Sequence, residues 1–395
     1  MATRLELEWY TIVRGETSQM NETSRRSFLI SSGAAIGTTA VRSQGREVRT
    51  AFIGVGNRGG SLLNQVLKKD SAPVVAVCDL DPNKRDRAAG LAARFNPKVT
   101  AQWREIVDMK DVDAVYIATP CNLHAAMAEA CLKAGKYVYL EKPMGIYPEE
   151  VDRVMKAERA SKVFLQIGQQ MRYWPWLRAA VPHVHSGIVG KVLIIKAQRH
   201  SPAQPPGTRE KLPEWYFDAK ISGDRIVENG VHNLDVCNWI ANSLPVAAFG
   251  YGKVYLPTPE PPGRHYMDAY SVMYQYRNEV NLTYSEAHLH PRNLKELAGG
   301  QWYAVYGEKG TIMIKRGSAL LYEMQATGEP RELLTPDQQG MNEDAVGDFY
   351  AAIREGRRPF ADSLVGATAA LTTLMGRTAI YQGRCATWKE LGVVV

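Results

Sequence analysis

The chain has 395 residues, of which 45% are hydrophobic and 23% charged, and its formal net charge is +7. This composition excludes a disordered chain, a collagen-like chain and a multi-span membrane protein, and the length suits two domains with an appendage. Basic and acidic residues are interleaved without a basic block, so we expect no nucleic-acid partner. The five cysteines form no Cys-x-x-Cys pair and lie among apolar neighbours, which predicts buried free thiols and no metal site.

Residues 1–46 are predicted to be an N-terminal extension that carries an export signal. Arg25 and Arg26 precede Phe28 and a weakly hydrophobic run that ends at Val41. The run is too short to cross a bilayer as a helix, so we expect no membrane span, and twin arginines before such a run are typical of twin-arginine signals. We expect export to the periplasm, with Met20 as the physiological start. The alternative is a surface segment on a cytoplasmic protein.

The next segment has the order of a dinucleotide-binding unit. A strand-like run at residues 48–53 leads into Gly54-Val55-Gly56-Asn57-Arg58-Gly59, and a helix and a second strand follow, ending at Asp79. Strand, glycine motif, helix, strand and acid come at the spacing of a Rossmann fingerprint. The glycines permit the tight turn, the close approach of a pyrophosphate and the packing of helix on strand. We therefore predict that residues 54–59 and Asp79 bind the cofactor.

Asp79 bears on the choice of dinucleotide. Its carboxylate would accept hydrogen bonds from ribose hydroxyls and would repel a 2′-phosphate, which favours NAD. Arg58, Lys84 and Arg85 are close enough in sequence to keep NADP open.

Strands and helices continue to alternate as far as residue 168. Six strands separated by helices predict a doubly wound parallel sheet, that is, an α/β Rossmann domain over residues 47–168. Its strands are expected at residues 48–53, 74–78, 99–103, 112–119, 137–140 and 163–167. Later strand-like stretches, several of them alternating, predict a second domain over residues 169–340 with a sheet that buries one face. Residues 341–395 are predicted to be mainly helical.

Three motifs carry a specific family resemblance. Thr119-Pro120-x-Asn122-x-His124, Ala134-Gly135-Lys136 and Glu141-Lys142-Pro143 together resemble the glucose–fructose oxidoreductase, inositol dehydrogenase and MocA superfamily. The similarity covers about residues 48–390. It implies a cis peptide before Pro143 and a lysine, Lys142, presented to both nicotinamide and substrate. It also implies further cofactor-site residues, namely Thr119, Pro120, Asn122, His124 and Glu141.

The same resemblance describes the second domain. It implies an α+β domain with an open-faced, mainly antiparallel sheet, C-terminal helices that pack back on the Rossmann domain, and a homo-oligomer, either dimer or tetramer. The segment from Gln170 to Pro175 is similar to the family's arginine-containing segment after the sixth strand. Arg172, Tyr173 and Trp174 are therefore candidate substrate contacts.

A second catalytic segment runs from Glu228 to Trp239. Glu228-Asn229-Gly230-Val231-His232-x-x-Asp235 resembles the family pattern Asp-x-Gly-x-His-x-x-Asp, with Glu228 in place of the usual aspartate. If the stretch is helical, Glu228, His232 and Asp235 lie within a narrow arc, although Gly230 makes the first turn uncertain. A carboxylate one turn from an imidazole can orient it and raise its basicity. Asn229 and Asp235 are further candidate substrate contacts, and Asp235 is interpreted mainly as support for the site.

These features predict an NAD(P)-dependent oxidoreductase that acts on a hydroxyl of a sugar, glycoside or polyol. His232 would take the hydroxyl proton, Lys142 would stabilise the charge developing on that oxygen, and Glu228 would orient His232 or bind a neighbouring hydroxyl. An exported enzyme would need a tightly bound cofactor that is regenerated in each cycle. One alternative is an NAD-dependent glycosidase that uses transient C3 oxidation and elimination. The other is a non-catalytic scaffold, which the presence of Lys142 and His232 disfavours.

Overall fold

The computed structural model describes residues 47–394, with gaps at 70, 203–212, 256–265, 292, 295–298 and 335–340. The chain divides into two compact units, residues 1–44 and 45–395. The first unit lies outside the described residues, and so does the predicted export signal. In the second unit all five cysteines are free thiols; four are buried and Cys385 is half-buried.

The first part of the second unit is built on a six-stranded parallel sheet of order β3-β2-β1-β4-β5-β6. The strands are β1 (Thr50–Ile53), β2 (Val74–Cys78), β3 (Lys98–Thr100), β4 (Ala114–Ile117), β5 (Tyr137–Leu140) and β6 (Leu165–Ile167). The helices are α1 (Asn57–Val66), α2 (Pro82–Leu91), α3 (Trp103–Asp108), α4 (His124–Lys133) and α5 (Pro148–Arg159). The predicted Rossmann sheet is confirmed. Its strand order reverses beside β1 and β4, where such folds bind ligands at the carboxyl ends of the strands.

The third strand is shorter than predicted. It ends at Thr100, whose hydroxyl accepts a hydrogen bond from the backbone N–H of Gln102 at 3.0 Å. A turn of this kind diverts the chain, so Trp103 begins α3 instead of ending the strand.

The second part contains a nine-stranded sheet of order β14-β13-β12-β11-β7-β10-β9-β8-β15 among the described residues. The strands are β7 (Val192–Pro202), β8 (Pro245–Lys253), β9 (Ala269–Tyr276), β10 (Asn281–His290), β11 (Gly300–Gly307), β12 (Gly310–Lys315), β13 (Ser318–Glu323), β14 (Arg331–Glu332) and β15 (Ala386–Thr387). The helices are α6 (Pro175–His185), α7 (Ala219–Ser222), α8 (Arg225–Glu228), α9 (Val231–Ala241), α10 (Met341–Glu355) and α11 (Ser363–Gln382). Only the β7–β10 pair is parallel within these strands, which confirms a mainly antiparallel sheet.

The two faces of this sheet differ in what covers them. Helices α9 and α11 pack against one face, where alternate residues of β9 and β10 are buried. The opposite face leaves large apolar side chains in solvent, among them Ile194, Phe249, Met273 and Tyr306. The sheet therefore has one open face, as the family resemblance implies.

Aromatic side chains tie the C-terminal helices to the Rossmann sheet. Phe52, Tyr116 and Tyr139 stack across β1, β4 and β5 with ring centroids 4.8 and 4.7 Å apart. Phe349 of α10 packs edge-on against both tyrosines. Each such pair contributes about 0.5–1.5 kcal/mol beyond the burial of its apolar area. This packing holds α10 against the sheet whose strand ends carry the candidate site.

Candidate functional site at the strand ends

Four segments meet at the carboxyl edge of the Rossmann sheet. The glycine motif follows β1, Thr119 lies two residues past β4, Lys142 lies two residues past β5, and Gln169 lies two residues past β6. The strands that precede the first three segments are neighbours in the sheet, because β1, β4 and β5 are adjacent. The segments therefore line one edge, and the loops of the second part approach the same edge.

The glycine motif fits a dinucleotide. Gly54 has φ +86°, and a Cβ at that position would lie 2.5 Å from the carbonyl oxygen of Ala118. A Cβ on Gly59 would overlap the carbonyl oxygen of Gly54, so the start of α1 packs directly on the turn. A Cβ on Gly56, by contrast, would have no described atom within 4 Å. The backbone is thus open at the position where a pyrophosphate approaches, in front of the N-terminus of α1.

Asp79 holds the shape of this motif. Its Oδ2 accepts a hydrogen bond from the N–H of Val55 at 2.9 Å, and its Oδ1 accepts one from the N–H of Asp81 at 3.0 Å. A carboxylate offers about four acceptor positions, so lone pairs remain for ribose hydroxyls. The geometry is compatible with the predicted cofactor role.

Arg58 links the glycine motif to the Glu-Lys-Pro segment. Its Nε donates to Oε1 of Glu141 at 2.6 Å, and the Glu141 side chain is nearly buried. The Oε2 of Glu141 accepts from the backbone N–H of Lys142 at 3.3 Å. The ion pair therefore fixes the backbone that carries the lysine.

His124 bridges two of the strand-end segments. Its Nδ1 lies 2.7 Å from the carbonyl oxygen of Pro143, and its Nε2 lies 2.9 Å from the carbonyl oxygen of Thr119. The ring is buried, and burial lowers the pKa of His124 below its usual value. Of the neighbouring motif residues, Asn122 is exposed and Pro120 is half-buried. His124 thus holds the protein backbone together, while Asn122 faces solvent.

Lys142 reaches across to the second part of the molecule. The Lys142–Pro143 peptide is cis, in agreement with the family resemblance. The Nζ of Lys142 donates to the backbone oxygen of Glu228 at 2.7 Å and to its Oε1 at 2.6 Å. Burial by itself disfavours the ammonium ion, but the charge and hydrogen bond of Glu228, together with Cys121 and Glu141, outweigh burial and raise the pKa of Lys142 above its usual value. Lys142 is therefore a cation at neutral pH.

The segment that contains His232 is two helices and not one. Helix α8 ends at Glu228 and α9 begins at Val231, with Gly230 between them. A Cβ on Gly230 would overlap the hydroxyl of Tyr270 on β9, so the close approach of the sheet requires glycine. The break removes the simple helical arc expected for Glu228, His232 and Asp235.

His232 has a different partner from the one expected. Its Nδ1 lies 3.0 Å from Oε1 of Gln169, whereas Glu228 binds Lys142. The Nε2 of Gln169 donates to the carbonyl oxygen of Val231 at 3.5 Å, which leaves the amide oxygen to face the imidazole. The amide oxygen can only accept, so Nδ1 carries the proton and Nε2 carries the lone pair. The expected contact between Glu228 and His232 is therefore replaced by one from Gln169.

The charge state of His232 follows from its surroundings. Its side chain is buried. Burial, reinforced by the positive charges of Lys142, Arg199 and Arg58, lowers the pKa of His232 well below its usual value. The imidazole is neutral at physiological pH, and its Nε2 forms no hydrogen bond within the described part of the chain.

Two of the candidate substrate contacts bind each other. Arg172 donates from Nε and Nη2 to the two carboxylate oxygens of Asp235 at 2.8–3.1 Å, and the pair is buried. The hydroxyl of Tyr173 donates to Asp348 of α10 at 2.8 Å, and Trp174 packs on Trp176 at 4.8 Å. These contacts hold elements of the fold together. Asn229 differs, because its amide nitrogen donates to the Tyr216 hydroxyl at 3.2 Å while its oxygen is buried without a partner among the described residues.

Sequence reasoning missed three residues of this site. Gln169 lies two residues past β6, as Lys142 lies two residues past β5. This position after a strand could have identified Gln169 as a candidate site residue. Tyr216 lies in a short 3₁₀ turn (Glu214–Phe217), and burial and the charge of Glu228 raise its pKa to about 12. Arg199 lies on β7, and its charge acts on His232. No local pattern marks the last two.

The described ranges contain neither a candidate metal cluster nor a membrane-spanning helix. No group of three or more His, Cys, Asp or Glu side chains there is placed to hold a metal ion. No helix in those ranges is both long enough and apolar enough to cross a membrane.

Similarity to known proteins covers both parts of the chain. Residues 48–169 match the model described as the oxidoreductase family with an NAD-binding Rossmann fold, and residues 177–313 match the GFO/IDH/MocA C-terminal domain. A glycosyl hydrolase family 109 protein of Stenotrophomonas maltophilia is 32% identical over 187 residues, which is 44% of this chain and 41% of that protein. Inositol 2-dehydrogenase 3 of Saccharopolyspora erythraea is 29% identical over 203 residues, which is 51% of this chain and 56% of that protein.

A solved structure extends the likeness to the whole fold. Levoglucosan dehydrogenase in complex with NADH and levoglucosan superposes with a TM-score of 0.75 at 19% identity, covering 87% of this chain and 99% of that one. At this identity the likeness concerns the fold alone. The curated relatives are matched over little more than half of their length or less. The two family models together span most of the described chain, and the chain belongs to the GFO/IDH/MocA oxidoreductase family.

Proposed function

We propose that the protein is an NAD-dependent oxidoreductase that acts on a hydroxyl group of a sugar, glycoside or polyol. One observation carries the proposal: a neutral His232, whose Nε2 has no hydrogen bond among the described residues, and the Lys142 ammonium, whose charge acts on it, both belong to the site at the carboxyl edge of a Rossmann sheet. A base and a cation at this edge suit the removal of a hydroxyl proton and the stabilisation of the resulting oxygen. Similarity to an inositol dehydrogenase and a levoglucosan dehydrogenase agrees with such a substrate class.

Cofactor binding, proton removal and stabilisation of the substrate oxygen are assigned to different residues of the site. Residues 54–59 and Asp79 hold the dinucleotide, whose nicotinamide supplies the hydride acceptor when bound. The Nε2 of His232 accepts the hydroxyl proton, and Gln169 keeps the imidazole in the tautomer that can do so. An ammonium group has three donors and Lys142 uses two of them on Glu228, so the third is left for the substrate oxygen.

Replacement of the base tests this proposal. His232→Ala should abolish hydride transfer and leave the dinucleotide bound, because the glycine motif and Asp79 are on other segments. His183→Ala, at an exposed histidine of α6, is the matched control and should keep the wild-type rate. Nicotinamide absorbance with a panel of sugars and polyols measures turnover, and mass analysis of denatured protein measures bound cofactor. Turnover by His232→Ala with an unaltered pH profile would contradict the assignment.

The choice of NAD over NADP rests on Asp79. Asp79→Ala should weaken NAD binding and relax the discrimination against NADP, since both the ribose acceptor and the repelling charge are lost. Titration of both cofactors into the apo-protein measures the two affinities. An unchanged ratio of NAD to NADP affinity would exclude this role.

A redox-assisted glycosidase is the second candidate. The observation that favours it is the match to a glycosyl hydrolase family 109 protein at 32% identity over 187 residues. A nitrophenyl glycoside separates the two reactions. Release of nitrophenol without net NADH, with solvent deuterium entering the sugar ring, indicates the glycosidase, whereas net NADH without nitrophenol indicates the dehydrogenase.

Three further expectations are proposals of the same kind. Export rests on Arg25 and Arg26 and is tested by fusing residues 1–46 to a reporter with and without the two arginines.

Tight cofactor binding is tested by measuring how much dinucleotide stays bound to the protein through gel filtration. A homo-oligomer is supported by the apolar open face around Phe249 and Met273 and is tested by the solution mass.

A further inference from the structure

The covered face of the second sheet carries a row of polar side chains level with the site. Strand register places Gln301 of β11 beside Arg199 of β7, Arg199 beside Glu286 of β10, and Glu286 beside Tyr270 of β9. The hydroxyl of Tyr270 also touches the point where Gly230 separates α8 from α9. The row therefore forms the wall opposite the strand ends that carry Lys142.

Arg199 is the unusual member of this row. Arg199 is half-buried, its Nη1 is shut off from solvent, and its guanidinium forms neither a hydrogen bond nor an ion pair with any residue in the described ranges. A donor that is shut off from solvent is ordinarily hydrogen-bonded. The Nη1 of Arg199 can therefore donate to an acceptor oxygen of a ligand.

Glu286, the neighbour of Arg199 in register, interacts with its charge but accepts no hydrogen bond from it in the described part of the chain. Glu286 is fully buried and accepts from the hydroxyls of Tyr270 at 2.8 Å and Tyr284 at 3.1 Å. Its other oxygen lies 3.2 Å from Nε2 of His288 and 4.0 Å from Nη1 of Arg225. Glu286 is thus surrounded by other groups, and Arg199 has no ion pair with it within 4 Å.

The remaining charges of the site are already matched. Lys142 pairs with Glu228, Arg58 pairs with Glu141, and Arg225 faces Glu286. His232 is neutral, because burial and the charges of Lys142, Arg199 and Arg58 lower its pKa. One positive charge is left over, because Arg199 and Arg225 both interact with the single carboxylate of Glu286; the charge of Arg199 interacts most with Glu286 and also acts on His232 and Glu228.

A second orphan atom lies in the same neighbourhood. The Oδ1 of Asn229 is buried without a partner in the described part of the chain, while its Nδ2 holds the Tyr216 hydroxyl. Tyr216 and Glu228, the residue before Asn229, both act electrostatically on Arg199. Near His232, the Nη1 of Arg199 is therefore an unused donor and the Oδ1 of Asn229 is an unused acceptor. A ligand that bears an anionic oxygen and a hydroxyl could bind both.

We propose that the substrate is an acidic carbohydrate, whose carboxylate binds Arg199 while its reacting hydroxyl lies between Lys142 and His232. A planar guanidinium is the side chain best suited to a carboxylate, because it can donate two parallel hydrogen bonds. The inference rests on the proposed oxidoreductase function and specifies its substrate class.

Matched sugar pairs test the inference. Glucuronate and glucose, and galacturonate and galactose, differ only in the carboxylate, and each is assayed with NAD. Wild-type enzyme should turn over one of the acids with a kcat/KM about 100-fold above that of its neutral partner, the scale of a buried charged contact. Arg199→Met should remove this preference, because it should lower kcat/KM for the acid by far more than for the neutral sugar. Arg199→Lys should restore part of it.

Lys196→Met is the control, because it removes a cation from the same strand at an exposed position on the open face. It should leave both sugars unaffected. Calorimetric binding of the same acid to the NADH complex gives a readout independent of turnover, and Arg199→Met should weaken it by a similar factor. The melting temperature of ligand-free Arg199→Met should stay close to that of the wild type, since the guanidinium forms no hydrogen bond or ion pair among the described residues; a guanidinium needed for folding would give a lower melting temperature.

Each outcome decides a separate point. A wild-type preference for neutral sugars, or an equal loss on both members of a pair in Arg199→Met, would overturn the acidic substrate and leave the dehydrogenase proposal standing. If no sugar reduces NAD, the dehydrogenase proposal fails, and acid binding that depends on Arg199 still decides the role of this residue. If Arg199→Met does not fold, the wild-type preference and the Arg199→Lys variant decide it.

Discussion

Two ion pairs connect the segments that follow β5 and β6 to helices α8 and α9, and their geometries differ. The guanidinium of Arg172 donates hydrogen bonds to both carboxylate oxygens of Asp235, and it lies 5.2 Å from the ring centroid of Trp239. Lys142 donates to a single carboxylate oxygen of Glu228 and to its backbone carbonyl. The side chains of the first pair are 10% and 1% exposed, and those of the second pair are 14% and 10% exposed.

The comparison separates a structural pair from a reactive one. A guanidinium that forks onto a carboxylate is held in one orientation, so Arg172 and Asp235 act as a fixed join between the two parts. An ammonium is a point charge with three rotatable donors, so Lys142 can keep its carboxylate and still address a substrate oxygen. The two ion pairs are buried to a similar degree, but the first stabilises the fold and the second is suited to bind substrate.

The largest expected effect is on stability, from the Arg172–Asp235 pair. Arg172→Met leaves a buried carboxylate without a partner and should lower the free energy of unfolding by about 3–5 kcal/mol. Denaturant titration measures it. Arg178→Met, which breaks an exposed pair with Asp344, is the control and should cost no more than about 1 kcal/mol. Equal losses in the two variants would break the distinction drawn above.

The next effect is on turnover, from the other pair. Lys142→Met should lower kcat by at least about 100-fold, the scale of a positioned charge-stabilising group. Its loss of stability should be smaller than that of Arg172→Met, because the side chains of the Lys142–Glu228 pair are more exposed than those of the Arg172–Asp235 pair. Lys142→Met/Glu228→Gln removes the carboxylate left behind and isolates the catalytic loss. A double variant with restored turnover would show that the lysine acts only on the fold.

Variants of Gln169 test the role of His232 through the pH dependence of kcat/KM. Because the pKa of His232 is lowered, the acid limb of kcat/KM should lie below pH 6.5, the usual histidine value. Gln169→Leu should cost about 10-fold in kcat, since the productive tautomer is no longer selected. Gln169→Glu places a carboxylate beside the imidazole, raises its pKa and should move the acid limb to higher pH. A limb that stays in place in Gln169→Glu would exclude His232 as the titrating base.

Glu228→Gln should have the smallest effect, a few-fold loss in kcat. The carboxylate raises the pKa of Lys142, so its removal lets burial lower that pKa. The alkaline limb of activity, which requires the ammonium ion, should then move to lower pH. The acid limb should not move, because Gln169 and not Glu228 is bonded to His232. A shift of the acid limb alone would instead favour a proton network between Glu228 and His232.

Much of the fold could be predicted from local patterns. The Rossmann strands show continuous apolar runs between helices, and β2 and β5 have the predicted bounds. The hairpin of β12 and β13 has a local signal of this kind, because Arg316 and Gly317 form a two-residue turn, with Gly317 at φ +74°. The lone Gly230 signalled uncertainty in the catalytic helix, but the cause of the break, the Tyr270 hydroxyl, comes from a strand 40 residues further along the chain.

The sequence by itself determined the cofactor fold, the lysine of the Glu-Lys-Pro segment and the histidine of the second segment, because glycine spacing, strand–helix alternation and short motifs are local properties. Only the tertiary structure decided how the side chains pair. Lys142 meets Glu228 across 86 residues and His232 meets Gln169 across 63 residues. Among the described residues Arg199 forms no side-chain hydrogen bond, while its neighbours in the sheet bind one another. Such choices depend on which partners the folded chain brings within hydrogen-bonding distance, and no local pattern encodes them.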